Sequence, residues 1–337
     1  MNMTFRTLVA TLLLLGVVPL VARGEQKLAQ TGLKFLAVTA DPRAEAFGGA
    51  FTAVEGSSSA MFFNPSCMAR LNGLTSVMLA RTNWIGEIKH NFGSIAFSPW
   101  GGDYGVLGVA VQFVDYGEII ETVRDGNPLG SGYIDLGTFK PTGLMIGVGY
   151  ARALSDKFSL GGGVKFAQQD LGETVNEVVN GEYIKAGNKT SVVAFDFGIL
   201  YRTGFKSLNF GMTVRNFSKE VRYQDEGFQL PLTFKIGLAM NVLDFTDLDK
   251  DMHSLLVAVD AEHPRDFGEQ VRIGGEYLFM KTLALRIGYV GPADEHSVSY
   301  GVGVKQSFEG FGFGFDYSYT PFGIFDPVHR SALQFSL

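Results

Sequence analysis

The sequence predicts an all-β membrane protein: a transmembrane antiparallel up-and-down β-barrel of about fourteen strands, with a small N-terminal helical hatch in its lumen. Three observations carry this. The C-terminal third is apolar at every second residue, with Leu232, Phe234, Ile236, Leu238 and Met240, then Val271, Ile273, Tyr277 and Phe279, then Phe311, Phe313, Phe315, Tyr317 and Tyr319. Between them stand Thr233, Lys235, Gly237, Arg272, Gly274, Glu276, Gly312, Gly314, Asp316 and Ser318, which gives each strand one greasy and one wet face. No stretch after residue 24 is apolar enough for a membrane helix, and lipid admits only helices and closed barrels. The connections also alternate in length, as those of membrane barrels do.

Residues 1–24 have a basic start ending at Arg6, an apolar core from Leu8 to Val21 and a small-residue site at Ala22-Arg23-Gly24. This is the pattern of a cleaved export signal, and its apolar core is too short for an anchor. Residues 25–73 lack the ribbon alternation. Asp41-Pro42 initiates a helix, a run of small residues follows, and Asn64-Pro65 forms a turn, which predicts short helical pieces tucked inside or under the barrel.

The barrel occupies residues 74–337, with strands expected near 74–82, 91–98, 104–115, 142–153, 158–168, 190–202 and 206–216. A further seven are expected near 231–243, 253–263, 268–279, 282–290, 296–307, 310–320 and 329–337. An even number places both termini on one side, expected to be the periplasm. The even-numbered connections are short, as at 154–157, 203–205, 280–281 and 309–310, with Asp244 to Met252 the exception. The long ones, expected as outside loops, are 116–141, 170–189 and 217–230. The last strand alternates Leu333, Phe335 and Leu337 and stops at the terminus. A soluble β protein of one or two domains is the rival reading, and it would need turns and sheet corners instead of nearly uniform strands.

The same parity points Lys165, Asp196, Arg215, Lys235, Asp260, Glu262, Arg272, Glu276, Arg286, Lys305 and Asp316 into the lumen. Nearly balanced signs there favour ion pairs that brace the interior over a ligand path. Fourteen strands enclose more space than wall side chains fill, so residues 25–73 or water must occupy it.

Other classes find little support. A net charge of -6 argues against a nucleic-acid partner. The lone Cys67 reads as a small buried side chain, and the five histidines have no ligand spacing. Phosphate-binding loops, nucleophile elbows and zinc-protease motifs do not occur, so neither an enzyme nor a cofactor is expected. Asp260 and Glu262 would suit a general acid and base, but two inward positions on one strand of a polar lumen explain them more simply.

The segment Thr31-Gly32-Leu33-Lys34-Phe35-Leu36, the run Arg43 to Val54 and Asn64-Pro65 resemble the N-terminal region of the PorV/PorQ family of outer-membrane proteins. The likeness continues through residues 149–161, Val214-Arg215-Asn216-Phe217, residues 228–232 and residues 258–264. It ends in Asp316-Tyr317-Ser318-Tyr319, Phe322-Gly323 and Val328-His329-Arg330. Such membership implies a barrel similar to the FadL fatty-acid transporters, with a hatch motif here carried by Gly48, Gly49, Asn64 and Pro65. Ser66 stands where that motif has alanine. It also implies a role in type IX secretion, in which the barrel receives cargo proteins by their C-terminal signal domain, alongside other secretion components. A FadL-like channel for hydrophobic small molecules is the alternative expectation.

Overall fold

The computed structural model describes residues 31–125, 130–179, 182–223, 226–293 and 296–337. The expected export signal, 1–24, and residues 25–30 of the expected hatch lie outside the described residues.

Fourteen strands close into one antiparallel barrel. In chain order they are β1 Thr75–Asn83, β2 Lys89–Phe97, β3 Val106–Asp115, β4 Thr142–Ala153, β5 Phe158–Val179, β6 Glu182–Arg202 and β7 Asn209–Ser218. These are followed by β8 Thr233–Asn241, β9 His253–Pro264, β10 Gln270–Phe279, β11 Leu283–Gly291, β12 Val298–Phe308, β13 Phe311–Phe322 and β14 Phe325–Ser336. The seam joins β1 to β14, from Ser76 opposite Ser336 to Asn83 opposite His329. Closure leaves the ring no unpaired edge.

The side-chain pattern is that of a soluble protein turned inside out. Strand β3 buries Val106, Gly108, Ala110, Gln112 and Val114 and presents Leu107, Val109, Val111 and Phe113 outward. Outward Leu285, Ile287 and Tyr289 on β11 and Tyr300 and Val302 on β12 continue the belt, an apolar surface far larger than water tolerates on a monomer.

One end of the barrel carries Leu337 and the connections 154–157, 203–208, 280–282 and 309–310; we call it the turn end. The opposite, loop end carries the long connections, but the expected loops are partly strand. Residues 170–189 continue the β5–β6 ladder out to Val179 and Glu182. Residues 116–141 contain a hairpin pairing Ile119–Arg124 with Tyr133–Phe139, and Val221–Arg222 pairs with Gly227–Phe228. Clear of the bilayer both faces of a ribbon are wet, so these stretches carry no apolar alternation to read. Side chains tie the three hairpins together: Lys185 Nζ lies 2.7 Å from Glu121 Oε2, Gln169 donates to Tyr116 (2.9 Å), and the Tyr223 hydroxyl donates to Gln169 (2.7 Å).

Residues 31–73 run through the lumen from one mouth to the other. At the loop end Gly32 N donates to Gln229 O (3.0 Å) and Thr31 donates to Asp266 (2.7 Å). At the turn end Leu74 N donates to Leu337 O (2.5 Å). In between lie 3₁₀ turns at Lys34–Ala37, Ser58–Phe62 and Pro65–Arg70 and one short helix, α1, at Pro42–Ala46. Asp41 caps α1 by accepting from Arg43 N (2.8 Å), with Pro42 pre-set at its first turn. Thr31 thus stands at the mouth opposite Leu337.

Candidate functional site

The plugged lumen is the candidate site, and it is asymmetric. Towards β2–β4 the plug is apolar: Phe62 meets Phe92 edge-on (5.7 Å between centroids), Phe35 lies against Val114 and Gly143, and Met61 lies over Gly108 and Gly149. Towards β8–β14 it is tied by charge.

Glu276 on β10 accepts from Arg43 of the plug (2.7 and 2.9 Å) and from Arg286 Nε on β11 (2.5 Å). Arg286 Nη1 reaches Asp316 on β13 (2.6 Å), and Gln334 donates to the other Asp316 oxygen (3.0 Å). Lys305 sits in the field of this group. A second cluster joins Lys235 (3.0 Å) and Arg272 to Glu262, and Arg272 Nη1 donates to Gly48 O (2.9 Å). Beside it, Asp260 Oδ2 accepts from Phe51 N, Thr52 N and Thr52 Oγ1 at 3.0, 3.1 and 2.6 Å. In the third cluster Lys165 pairs with Asp196 (2.6 Å), which also accepts from Asn216 N (2.7 Å). Arg215 lies over the Phe63 ring, 6.0 Å from its centroid, with Leu36 O 3.5 Å away. A buried charge is tolerable only when paired and hydrogen-bonded, and these eleven residues sort into groups that largely achieve it.

The four hatch-motif residues are placed by backbone contact. Asn64 Nδ2 donates to Thr52 O (2.8 Å) and Ile199 O (3.0 Å), and its Oδ1 accepts from Ser66 N and Ser66 Oγ. Pro65 begins the following 3₁₀ turn. Wall glycines admit the plug: a Cβ at Gly198 would overlap the Asn64 amide, one at Gly161 would overlap Pro65 and Ser66, and one at Gly274 would meet Phe47. Gly48 and Gly49 turn the chain at φ +63° and +81°, where any other residue is strained.

Strand parity says nothing of the plug's own ion pairs. Glu45 lies 3.4 Å from Arg330, itself an inward position of the last strand, and accepts from Thr320 (3.1 Å). Glu55 pairs with Arg202 (2.8 Å), and Arg70 donates to Ser155 O, Asp156 O and Ser159. Nothing in local sequence marks residues so far apart as partners. Between plug and the β3–β7 wall remains a cavity of about 20 Å³, space for one water, and a cleft of about 520 Å³ opens at the turn end beside Glu55, Lys157 and Arg202. Among the described residues no group of three or more His, Cys, Asp or Glu side chains is disposed to hold a metal ion.

A family model described as type IX secretion system membrane protein PorP/SprF matches residues 133–325, more than half of the chain. No curated protein matches the sequence. Among solved structures, the toluene transporter TodX of Pseudomonas putida superposes with a TM-score of 0.60 at 11% identity, over 92% of this chain and 99% of that one. The CymD monoaromatic hydrocarbon channel gives 0.55 at 11% identity, over 90% and 98%. A FadL homologue of Pseudomonas aeruginosa gives 0.52 at 11% identity, over 88% and 98%. At such identity the likeness is one of fold.

Proposed function

We propose a function from one premise: the chain belongs to the PorP/SprF family of type IX secretion system membrane proteins, and it is an outer-membrane β-barrel with a FadL-like fold. On this reading it is a non-enzymatic barrel that receives or shuttles secreted proteins by their C-terminal signal domain, together with other components of the type IX pathway. The family match carries the proposal. The joined hairpins of the loop end support it, because they form a broad platform beyond the belt while the lumen below is filled by side chains. The loop end then faces outward, the turn end faces the periplasm, and residues 1–24 act as the cleaved export signal. The finer PorV/PorQ likeness rests partly on residues 31–65, outside the span 133–325. Deleting the gene tests the proposal: secreted proteins with the signal domain should lose surface attachment, and a pull-down from detergent-extracted envelopes should recover them with this barrel. Normal attachment in the deletion strain would remove it.

The second reading is a FadL-like channel for hydrophobic small molecules. It draws on the apolar side of the plug, where Phe62 and Phe63 precede Asn64, and on the fold shared with the toluene transporter and the monoaromatic hydrocarbon channel. Uptake of such compounds unchanged by loss of the protein would dismiss it.

A further inference from the structure

Near the seam between β1 and β14 the outer wall turns polar on the loop side of the belt. On β1 the outward positions run Val77, Leu79 and then Arg81, which is exposed and has no ion-pair or hydrogen-bond partner among the described residues. Across the ladder Arg81 faces Ser331 of β14 and Asn91 of β2, so three polar side chains share one level of the outer wall. The polar patch is local: at this level β3 and β4 present Phe113 and Leu144, and beyond Tyr317 of β13 comes Val302 of β12. One level closer to the loop end stand Asn83, Lys89 and His329, the last bonded through Nδ1 to the Tyr317 hydroxyl (2.6 Å). The acids nearby are Asp115, opposite Lys89, and Asp326 at the start of β14; neither forms an ion pair with Arg81.

These residues border a groove of about 450 Å³ on the outer wall, lined by Arg81, Asn91 and Ser331 at its loop-side end and by Leu79, Phe315 and Leu333 towards the turn end. Gly93, outward on β2 between Asn91 and Ile95, leaves the adjoining wall low. The groove therefore has a cationic, hydrogen-bonding head and an apolar tail pointing to mid-membrane. An unpaired arginine facing hydrocarbon is costly unless an anion meets it, and guanidinium matches phosphate as a planar fork.

We propose that this groove binds a phosphorylated glycolipid of the outer leaflet, its phosphate on Arg81 with Asn91 and Ser331 beside it and an acyl chain along Leu79, Phe315 and Leu333. The leaflet assignment rests on the loop end facing outward, as in the proposed function; the binding measurement below is made on purified protein and does not depend on secretion, so either reading can fail alone.

The test is native mass spectrometry of the detergent-solubilised barrel with three probes: diphosphoryl lipid A, the same glycolipid without phosphates, and phosphatidylglycerol. Lipid A should be retained by the wild type, and Arg81→Gln should weaken it about tenfold, the loss expected for one charge-assisted bidentate contact. Arg81→Lys should recover part of the binding, and Lys281→Gln, exposed at the turn end, should change nothing. Arg81 faces away from the plug and core, and an unaltered heat-dependent gel shift would verify that each variant barrel is closed. Equal binding by Arg81→Gln, or by the phosphate-free glycolipid, would overturn the site; equal binding of phosphatidylglycerol would overturn the glycolipid assignment. A photo-crosslinker at Leu79 that captures a protein instead of lipid in native membranes would overturn both.

Discussion

Arg43 forks onto Glu276, its Nη2 2.7 Å from one carboxylate oxygen and its Nε 2.9 Å from the other, so helix α1 of the plug is held to strand β10 by a two-point contact. Arg286 shares the same carboxylate, and Glu276 is therefore the hinge-pin of two arginines.

Glu276→Ala should be much worse than the loss of one contact suggests, because it strips Arg43 of its carboxylate in a buried site and leaves Arg286 with Asp316 alone. A cost of about 3–5 kcal/mol is expected for breaking a buried pair. The double variant Arg43→Met with Glu276→Leu should recover much of it. Denaturant unfolding in detergent micelles, followed by gel shift, compares the two.

Asn64→Ala should free the plug locally while sparing the ring. It removes the amide donor from Thr52 O and Ile199 O, a loss of about 1–3 kcal/mol. Gly198→Ala should act alike from the other side, since the added carbon enters the space of the Asn64 amide. Hydrogen exchange over residues 50–66 should accelerate in both, with strand β11 unchanged.

Cys67 should be silent towards maleimide at pH 8 in the folded protein. It is fully buried, its thiol lies 3.5 Å from Thr52 O, and burial pushes its pKa above the ordinary thiol range, so the reactive thiolate is scarce until the pH is well above neutral. Denaturation should expose it, and Asn64→Ala should raise its labelling rate, which makes Cys67 a reporter of plug docking.

Charge on the outer belt should be penalised by depth. Ile236→Arg or Leu238→Arg, in the middle of β8, should cost about 2–4 kcal/mol near mid-bilayer. Gly274→Arg should also fail, but by collision with Phe47 inside the lumen. Refolding into thin and thick bilayers separates the two causes, because only the first depends on hydrocarbon.

The barrel was legible because its alternation is enforced by two solvents at once. Leu238 and Ile236 face outward and Lys235 and Gly237 inward because the ladder has period two, and the short connections make consecutive barrel strands neighbours all the way round the ring. Legibility stopped where one of the solvents stopped. Above the belt, Glu173 to Val175 and Lys185 to Gly187 pair as strand although water bathes both faces. It stopped again in the lumen. Parity aims Glu262 and Glu276 inward, but only the folded ring decides that Arg272 comes from the neighbouring strand and Arg43 from a segment 233 residues away. In the plug the helix start at Asp41-Pro42 and the turn at Asn64-Pro65 were readable, but its route through the lumen was not, because each short turn is placed by the wall it touches.

The plug enters at Thr31 and leaves at Gly73, and between them it doubles back: the Asn64 amide holds Thr52 O and the Ser59 hydroxyl holds Asp41, so its first half is stitched to its second. Tension applied at the Thr31 end would therefore be spread over several fastenings at once, and the bore would empty in one abrupt event instead of step by step.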